Sequence, residues 1–164
     1  MSIEIERKFL IDPTKLDLSL MKRDPSHKLE IKQSYIVNQP DVSVRVRITS
    51  NPDLDDLFYQ RPVYPEICVK VGTGAVRMEF EQKIPYEEAL ALLEKYPTVH
   101  KIRYILDIGD TDRYWEIDQF FGEHEGLWLA EIELDSLDEQ IDLPNWICEE
   151  VTWNAEYYNS NLAK

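Results

Sequence analysis

Like-charged side chains recur two residues apart along this chain, in segments that are otherwise apolar. Glu4 and Glu6, Glu79 and Glu81, Glu116 and Asp118, and Glu131 and Glu133 are acidic pairs. Arg45 and Arg47, and Lys101 and Arg103, are basic pairs, and Lys8, Lys70, Arg77 and Lys83 are single bases in segments of the same kind. On an extended chain this spacing puts both members of a pair on one face, roughly 6–7 Å apart. Like charges at that distance repel unless something of opposite sign lies between them. Paired carboxylates call for a cation. Paired guanidinium and ammonium groups call for an anion with several oxygens, such as a phosphate chain. The candidate cation ligands are all oxygen, and His27, His100 and His124 are scattered. Such a set suits Mg²⁺ or Mn²⁺ better than zinc. No Ser or Cys stands near a base partner in sequence, so no covalent nucleophile is expected. Gly72-Thr73-Gly74 is not followed by Lys-Ser or Lys-Thr, and reads as a hairpin turn, not a phosphate-binding P-loop.

The elements that must position these charges are strands. Alternation of period two runs through 1–10, 29–37, 43–49, 66–71, 75–84, 100–107, 113–119 and 129–135. The faces opposite the charges are apolar, as in Ile3 and Ile5, Val44 and Val46, Met78 and Phe80, and Trp115 and Ile117. Strand by strand, the ordinary meaning is a solvated charged face over a sandwich core. The clustering argues otherwise, because solvent faces normally mix Thr, Ser, Lys and Glu. Eight strands suffice to close a barrel with the charges in its lumen. Its apolar outside then needs cover. The clearest helix, over 85–96, could supply it: Pro85 suits the first turn, Glu87 and Glu88 the positive end, and Ala89, Leu90, Leu92 and Leu93 form an apolar face. The two terminal segments are further candidates, 12–22 being weakly helical or looped and the chain from Asn145 onward reading as a helical tail. The stretch 51–65, with three prolines and Asp53, Asp55 and Asp56, reads as a long loop.

Composition narrows the class. The chain has 164 residues, with 18 Lys plus Arg against 32 Asp plus Glu, a net charge of −14. That balance excludes a nonspecific nucleic-acid binder, which needs excess positive charge. The 43% hydrophobic content is that of a globular protein. Cys68 and Cys148 give neither a disulfide framework nor zinc spacing, and read as inert small hydrophobes. Met1 to Lys8 is too charged for a signal core, and no apolar run reaches membrane-spanning length. The expectation is one cytoplasmic domain over 1–164, with no nucleic-acid or membrane partner.

Glu4-Ile5-Glu6-Arg7-Lys8 resembles the ExExK signature of the CYTH superfamily, the triphosphate tunnel metalloenzymes. Gln33-Ser34-Tyr35 resembles that family's QxY element, Arg45-Val46-Arg47 its RxR strand and Val69-Lys70-Val71 its single-lysine strand. Arg77 to Glu81 resembles RxExE, Lys101 to Arg103 KxR, Glu116 to Asp118 ExD and Glu131 to Glu133 the closing ExE. Trp146 to Thr152 resembles the W…EEVT segment that follows. The elements occur in family order along nearly the whole chain, and the short bacterial inorganic triphosphatases look closest.

The resemblance implies an α+β fold: an eight-stranded antiparallel tunnel with a charged lumen and flanking helices. It implies Mg²⁺- or Mn²⁺-dependent hydrolysis of a triphosphate-containing small molecule. Carried over, Glu4, Glu6, Asp118, Glu131 and Glu133 would hold metal. Arg45, Arg47, Lys70, Lys101 and Arg103 would grip phosphate, with Arg77 a weaker candidate. Lys8 and Tyr35 would orient water or assist proton transfer. Glu79, Glu81, Glu116 and Glu150 would tune the bases or a second metal. One departure stands out: Tyr157 occupies a position where the family's tail carries Arg, which puts phosphate gripping by the tail in doubt. Within the same fold, an adenylate cyclase, nucleoside triphosphatase or thiamine triphosphatase needs a base-recognition surface that the sequence does not display. Trp115, Trp128, Trp146 and Trp153 read as packing. A non-catalytic polyphosphate binder is the remaining alternative, and the complete set of Lys8, Glu4, Glu6, Glu131 and Glu133 argues against it. An apolar barrel exterior leaves room for a homodimer.

Overall fold

Closure of the sheet is decided at the first strand, β1 (Ser2–Ile11). The computed structural model describes residues 2–17, 27–52, 63–109 and 112–163. Eight further strands follow: β2 (Lys28–Asn38), β3 (Val42–Ser50), β4 (Val63–Thr73), β5 (Val76–Lys83), β6 (Thr98–Asp107), β7 (Tyr114–Phe120), β8 (Trp128–Glu133) and β9 (Ile147–Glu150). β1 pairs with β5 from Ser2 to Ile5 and with β8 from Glu6 to Leu10, always antiparallel. The circuit β1-β5-β4-β3-β2-β6-β7-β8 thereby returns to its start as a closed eight-stranded antiparallel barrel. Closure removes free strand edges, and the pleat sends alternate side chains inward. The charged face is the inner one.

Cover for the outer face comes from two places. Helix α1 (Tyr86–Lys95) packs across β2, β3 and β4, with Ala89 fully buried. Pro85 is its N-cap, one place earlier than the first-turn position the sequence suggests, and Glu87 and Glu88 lie in the first turn. Ser34, on the outer face of β2, bonds Thr98 Oγ1 at 2.9 Å and donates to the Leu93 carbonyl of α1 at 3.3 Å, pinning helix to strand. On the other side Trp146 covers the sheet. It meets Trp115 edge-on at 5.3 Å, and Trp115 meets Phe9 at 5.6 Å, within a core that includes Tyr104, Ile117, Ile132 and Leu134. The outer face of β5 and the start of β1 stays bare: Ile3, paired with Met78, is 69% exposed.

A second apolar cluster, Val99, Phe120, Leu129, Val151 and Leu162, lies at one end of the lumen. Val99, Phe120 and Leu129 continue the inward period of Lys101, Asp118 and Glu131. Val151 and Leu162 come from the C-terminal segment, which stoppers that end.

This segment differs from the helical tail expected from Asn145. It first pairs with β1 as β9, Phe9 opposite Glu150, then makes a single turn at Ala155–Tyr157 and a four-residue helix, α2 (Asn159–Leu162). An open partner on β1 outweighs weak local helical preference. The fourth strand begins at Val63, so Pro65 lies inside it, where a loop is expected from sequence. Pro65 lacks only a donor; its carbonyl accepts from Ile84 N–H at 3.1 Å. The acidic cluster Asp53, Asp55 and Asp56 lies outside the described residues, as does the second part, 18–22, of the weakly helical stretch 12–22, whose first part makes one short turn at Pro13–Lys15.

The β4–β5 turn needs glycine for two reasons. Gly74 has φ +66°, and a Cβ there would lie 2.0 Å from the Trp153 ring. Gly74→Ala is expected to cost about 2 kcal/mol or more, a fall of roughly 4–8 °C in thermal midpoint at this chain length. An alanine variant melting with the wild type would show that Trp153 and the turn part freely.

Candidate active site

The lumen contains a cavity of about 770 Å³. Eleven of the thirteen residues expected from sequence line it: Glu4, Glu6, Lys8, Tyr35, Arg45, Arg47, Lys70, Arg77, Arg103, Glu131 and Glu133. Lys101 and Asp118 lie behind its wall, each about 1% exposed. Charges of opposite sign are interleaved across neighbouring strands. β7 and β8 carry acids, β6 and β3 bases, and β1 both.

The deep end is a bifurcated ion network. Asp118 holds Lys101 Nζ at 2.5 Å and takes Arg103 through two bonds of 2.7 and 2.8 Å. Arg103 also reaches Glu116, and Glu131 at 2.8 Å. Glu131 in turn holds Lys8 Nζ at 2.7 Å. Both oxygens of Asp118, expected as a metal ligand, are thus engaged by bases. Toward the turn of β4 and β5, Lys70 bridges Glu4 at 2.6 Å and Glu79 at 3.2 Å. Arg77 bonds Glu6, Arg45 reaches Glu79 and Glu81, and Arg47 reaches Glu66 and Glu81.

Burial and neighbours set the protonation states. Desolvation opposes the Lys8 ammonium, but Glu131 and Glu6 outweigh it and hold its pKa above the ordinary lysine value. Burial, the largest effect, raises the Tyr35 phenol despite Arg45, Lys70 and Lys8 nearby. Lys8 is therefore an ammonium and Tyr35 a neutral phenol at neutral pH. Desolvation also opposes the Glu131 carboxylate, yet Lys8 and Arg103 pull it well below the usual range. Glu133 goes the other way. It has no ion-pair partner among the described residues, and burial together with Glu4, Glu6 and Glu79 raises its pKa. Glu133 sits opposite Glu6 across β1 and β8, and the nearby bases Arg77 and Lys70 are paired with Glu6, Glu4 and Glu79 instead of with it. That oxygen-only cluster fits a hard divalent cation.

Several polar groups at the site carry no charge pattern and escape a search by charge. Cys68 is not a packing hydrophobe. It faces the lumen, and its thiol donates to Glu79 Oε1 at 2.8 Å; Cys68, Glu79 and Glu81 offer atoms within 4.8 Å of one another. Burial pushes that thiol up to about 12. In the folded protein, one thiol per chain, the exposed Cys148, is expected to react with a disulfide reagent at pH 8, and both after unfolding. Two fast-reacting thiols in the native protein would contradict this placement. The tail contributes through polar atoms other than the missing arginine. Lys8 Nζ donates to the Tyr157 carbonyl at 3.3 Å, Lys101 Nζ to Asn159 Oδ1 at 3.3 Å, and Asn38 Nδ2 to the Ser160 carbonyl at 3.1 Å. Tyr157 itself packs against the apolar stopper. The two-residue spacing of asparagines 159 and 161 is the one sequence signal that points there.

Known proteins place this geometry. The CYTH domain family model matches residues 2–164. An inorganic triphosphatase of Acetivibrio thermocellus is 38% identical over 169 residues, spanning 100% of this chain and 95% of the relative. The crystal structure of the inorganic triphosphatase NE1496 superposes with a TM-score of 0.61 at 27% identity, covering 99% of this chain and 95% of that one. A Bacillus halodurans protein of 15% identity shares the fold, with a TM-score of 0.55 over 83% of each chain. With a family match that omits only the first residue and a relative aligned along the full length, the chain belongs to the CYTH domain family.

Proposed function

We propose that this chain hydrolyses inorganic triphosphate to pyrophosphate and phosphate inside the barrel, with Mg²⁺ or Mn²⁺. The observation that carries it is the lumen: a closed wall on which Arg45, Arg47, Lys70, Arg77 and Arg103 face one cavity, beside a carboxylate cluster centred on Glu133. The inorganic triphosphatase of A. thermocellus supports the same reading. Among the described residues, the aromatic side chains lining the cavity are Tyr35 and Tyr158, and Tyr158 Oη is already spent on the Thr152 carbonyl at 3.3 Å. That leaves little to recognise a nucleobase.

The bases would grip phosphate oxygens in the manner of forked donors. Glu4, Glu6 and Glu133 would hold the cation, whose chemistry is to neutralise phosphate charge and to lower the pKa of water, while Glu131, with its two oxygens on Lys8 and Arg103, holds those bases in place. We assign Asp118 to holding Lys101 and Arg103 in position, since both its oxygens are taken. Lys8 and Tyr35 each carry a proton at neutral pH, so both act as donors to phosphate oxygen instead of removing a proton from water. Catalysis of this kind is positioning and charge neutralisation.

The test is phosphate release from inorganic triphosphate, ATP, thiamine triphosphate and pyrophosphate, each with Mg²⁺ and with Mn²⁺. Strong preference for inorganic triphosphate is the expected result, and loss of turnover on chelation goes with it. Preference for an organic triphosphate would overturn the substrate, and tight triphosphate binding without turnover would overturn the reaction. No helix among the described residues is long and apolar enough to cross a membrane.

A further inference from the structure

Gln33 is completely buried, with 0% exposure, on the face of β2 that also carries Tyr35. Its Nε2 donates to Tyr35 Oη at 3.0 Å. Its Oε1 meets no donor among the described residues. A buried amide oxygen without a partner costs stability, and an apolar residue of the same size would not. The position therefore carries a polar group for what its other end does.

That other end decides how the phenol behaves. A phenol has one proton and an oxygen that accepts. Gln33 N–H occupies the accepting side, so the proton points elsewhere. Arg45, across the strand pair from Tyr35, and Lys8 and Lys70 nearby are donors only and cannot receive it, and the nearby acid, Glu131, already has its two oxygens on Lys8 and Arg103. Tyr35 lines the cavity. The result is a donor aimed into a space framed by cations, complementary to an anionic oxygen. The backbone supports this aim. Ser34 is clamped from the opposite face by Thr98 and the Leu93 carbonyl, and the β2–β3 register shifts immediately after Tyr35. A bulge at such a place re-aims the side chain beside it.

We infer that Gln33 is a positioning residue for the reaction: it fixes Tyr35 as a hydrogen-bond donor to a phosphate oxygen of the bound triphosphate and denies it the role of base. The inference rests on the proposed contact between Tyr35 and substrate.

Gln33→Glu separates the donor arrangement from its reverse. A carboxylate only accepts, so it turns the phenol proton away from the cavity. Gln33→Met keeps the volume and frees the phenol. Tyr35→Phe is expected to lower kcat for inorganic triphosphate by about 10- to 100-fold, the loss of one hydrogen bond to a charged oxygen. Gln33→Glu should lower kcat by a similar factor and Gln33→Met by less, each with KM within about 3-fold of wild type, because ground-state grip belongs to the bases. The decisive arm is the double variant: Gln33→Met with Tyr35→Phe should be no slower than Tyr35→Phe alone. Thermal midpoints report folding, and if Gln33→Glu does not fold, the methionine cycle carries the test. If Tyr35→Phe is impaired but both Gln33 variants match wild type, or the methionine and phenylalanine losses multiply, the Gln33 inference falls and the Tyr35 assignment stands. If Tyr35→Phe keeps full activity, both fall.

Discussion

Lys8→Ala is expected to lower kcat for triphosphate hydrolysis by about 10²- to 10⁴-fold, the range for removing a positioned proton donor. Divalent-cation binding should largely survive, as should the fold. The side chain is 4% exposed and touches Glu131, the Tyr157 carbonyl and the Tyr158 ring, so nothing about its position is that of a surface lysine. After its removal Glu131 keeps Arg103 as a partner at 2.8 Å, which limits the structural damage. Steady-state kinetics, with calorimetric titration of Mg²⁺ into the variant, separates the two effects. Turnover near the wild-type rate would remove Lys8 from the chemistry.

The two acids of β8 should respond in opposite ways to the same substitution. Glu131→Gln takes the negative charge from between Lys8 and Arg103 and leaves the buried Lys8 ammonium without its acid, while Arg103 keeps Asp118 and Glu116. Breaking a buried pair in this way costs about 3–5 kcal/mol, or roughly 6–20 °C in thermal midpoint for a chain of this size. Activity should be lost with it. Glu133→Gln should leave stability unchanged or raise it, while still removing most activity. Its acid has a raised pKa, so the folded state holds a proton that the unfolded state gives up. Its contribution is therefore present at low pH and lost as pH rises through the carboxylate range up to the folded value. Glu131, with a lowered pKa, behaves inversely: its contribution holds at neutral pH and is lost as pH falls. Thermal melts of both variants between pH 4 and 8 check the signs. If Glu133→Gln melts below wild type at neutral pH, carboxylate crowding is not what shapes this corner. Mg²⁺ should raise the wild-type midpoint more than that of Glu133→Gln, since ligand binding stabilises only a competent site.

Charge spacing makes the barrel legible in the sequence, because a residue two places along a strand shares a face whatever the tertiary context. The same rule groups Arg45 with Arg47 and Glu131 with Glu133, and all four line one cavity. It does not say which acid meets which base. Register across strands decides that, and it sends both oxygens of Asp118 to Lys101 and Arg103 while Glu133 meets other acids. Neutral groups are silent for another reason. Gln33, Cys68 and Asn159 act through single hydrogen bonds, and a hydrogen bond has no period. The tail misleads because β9 forms only through its partner, β1, far away in sequence. Pro65 misleads in the opposite direction: a missing N–H stops a strand only where the ladder needs that donor.

The apolar stopper built from Val99, Phe120, Leu129, Val151 and Leu162 turns the barrel from a pipe into a cup. For the proposed substrate, a linear anion, a cup would have one way in and out. The fragment nearer the rim would then depart first, and the last product out would compete with the next molecule in.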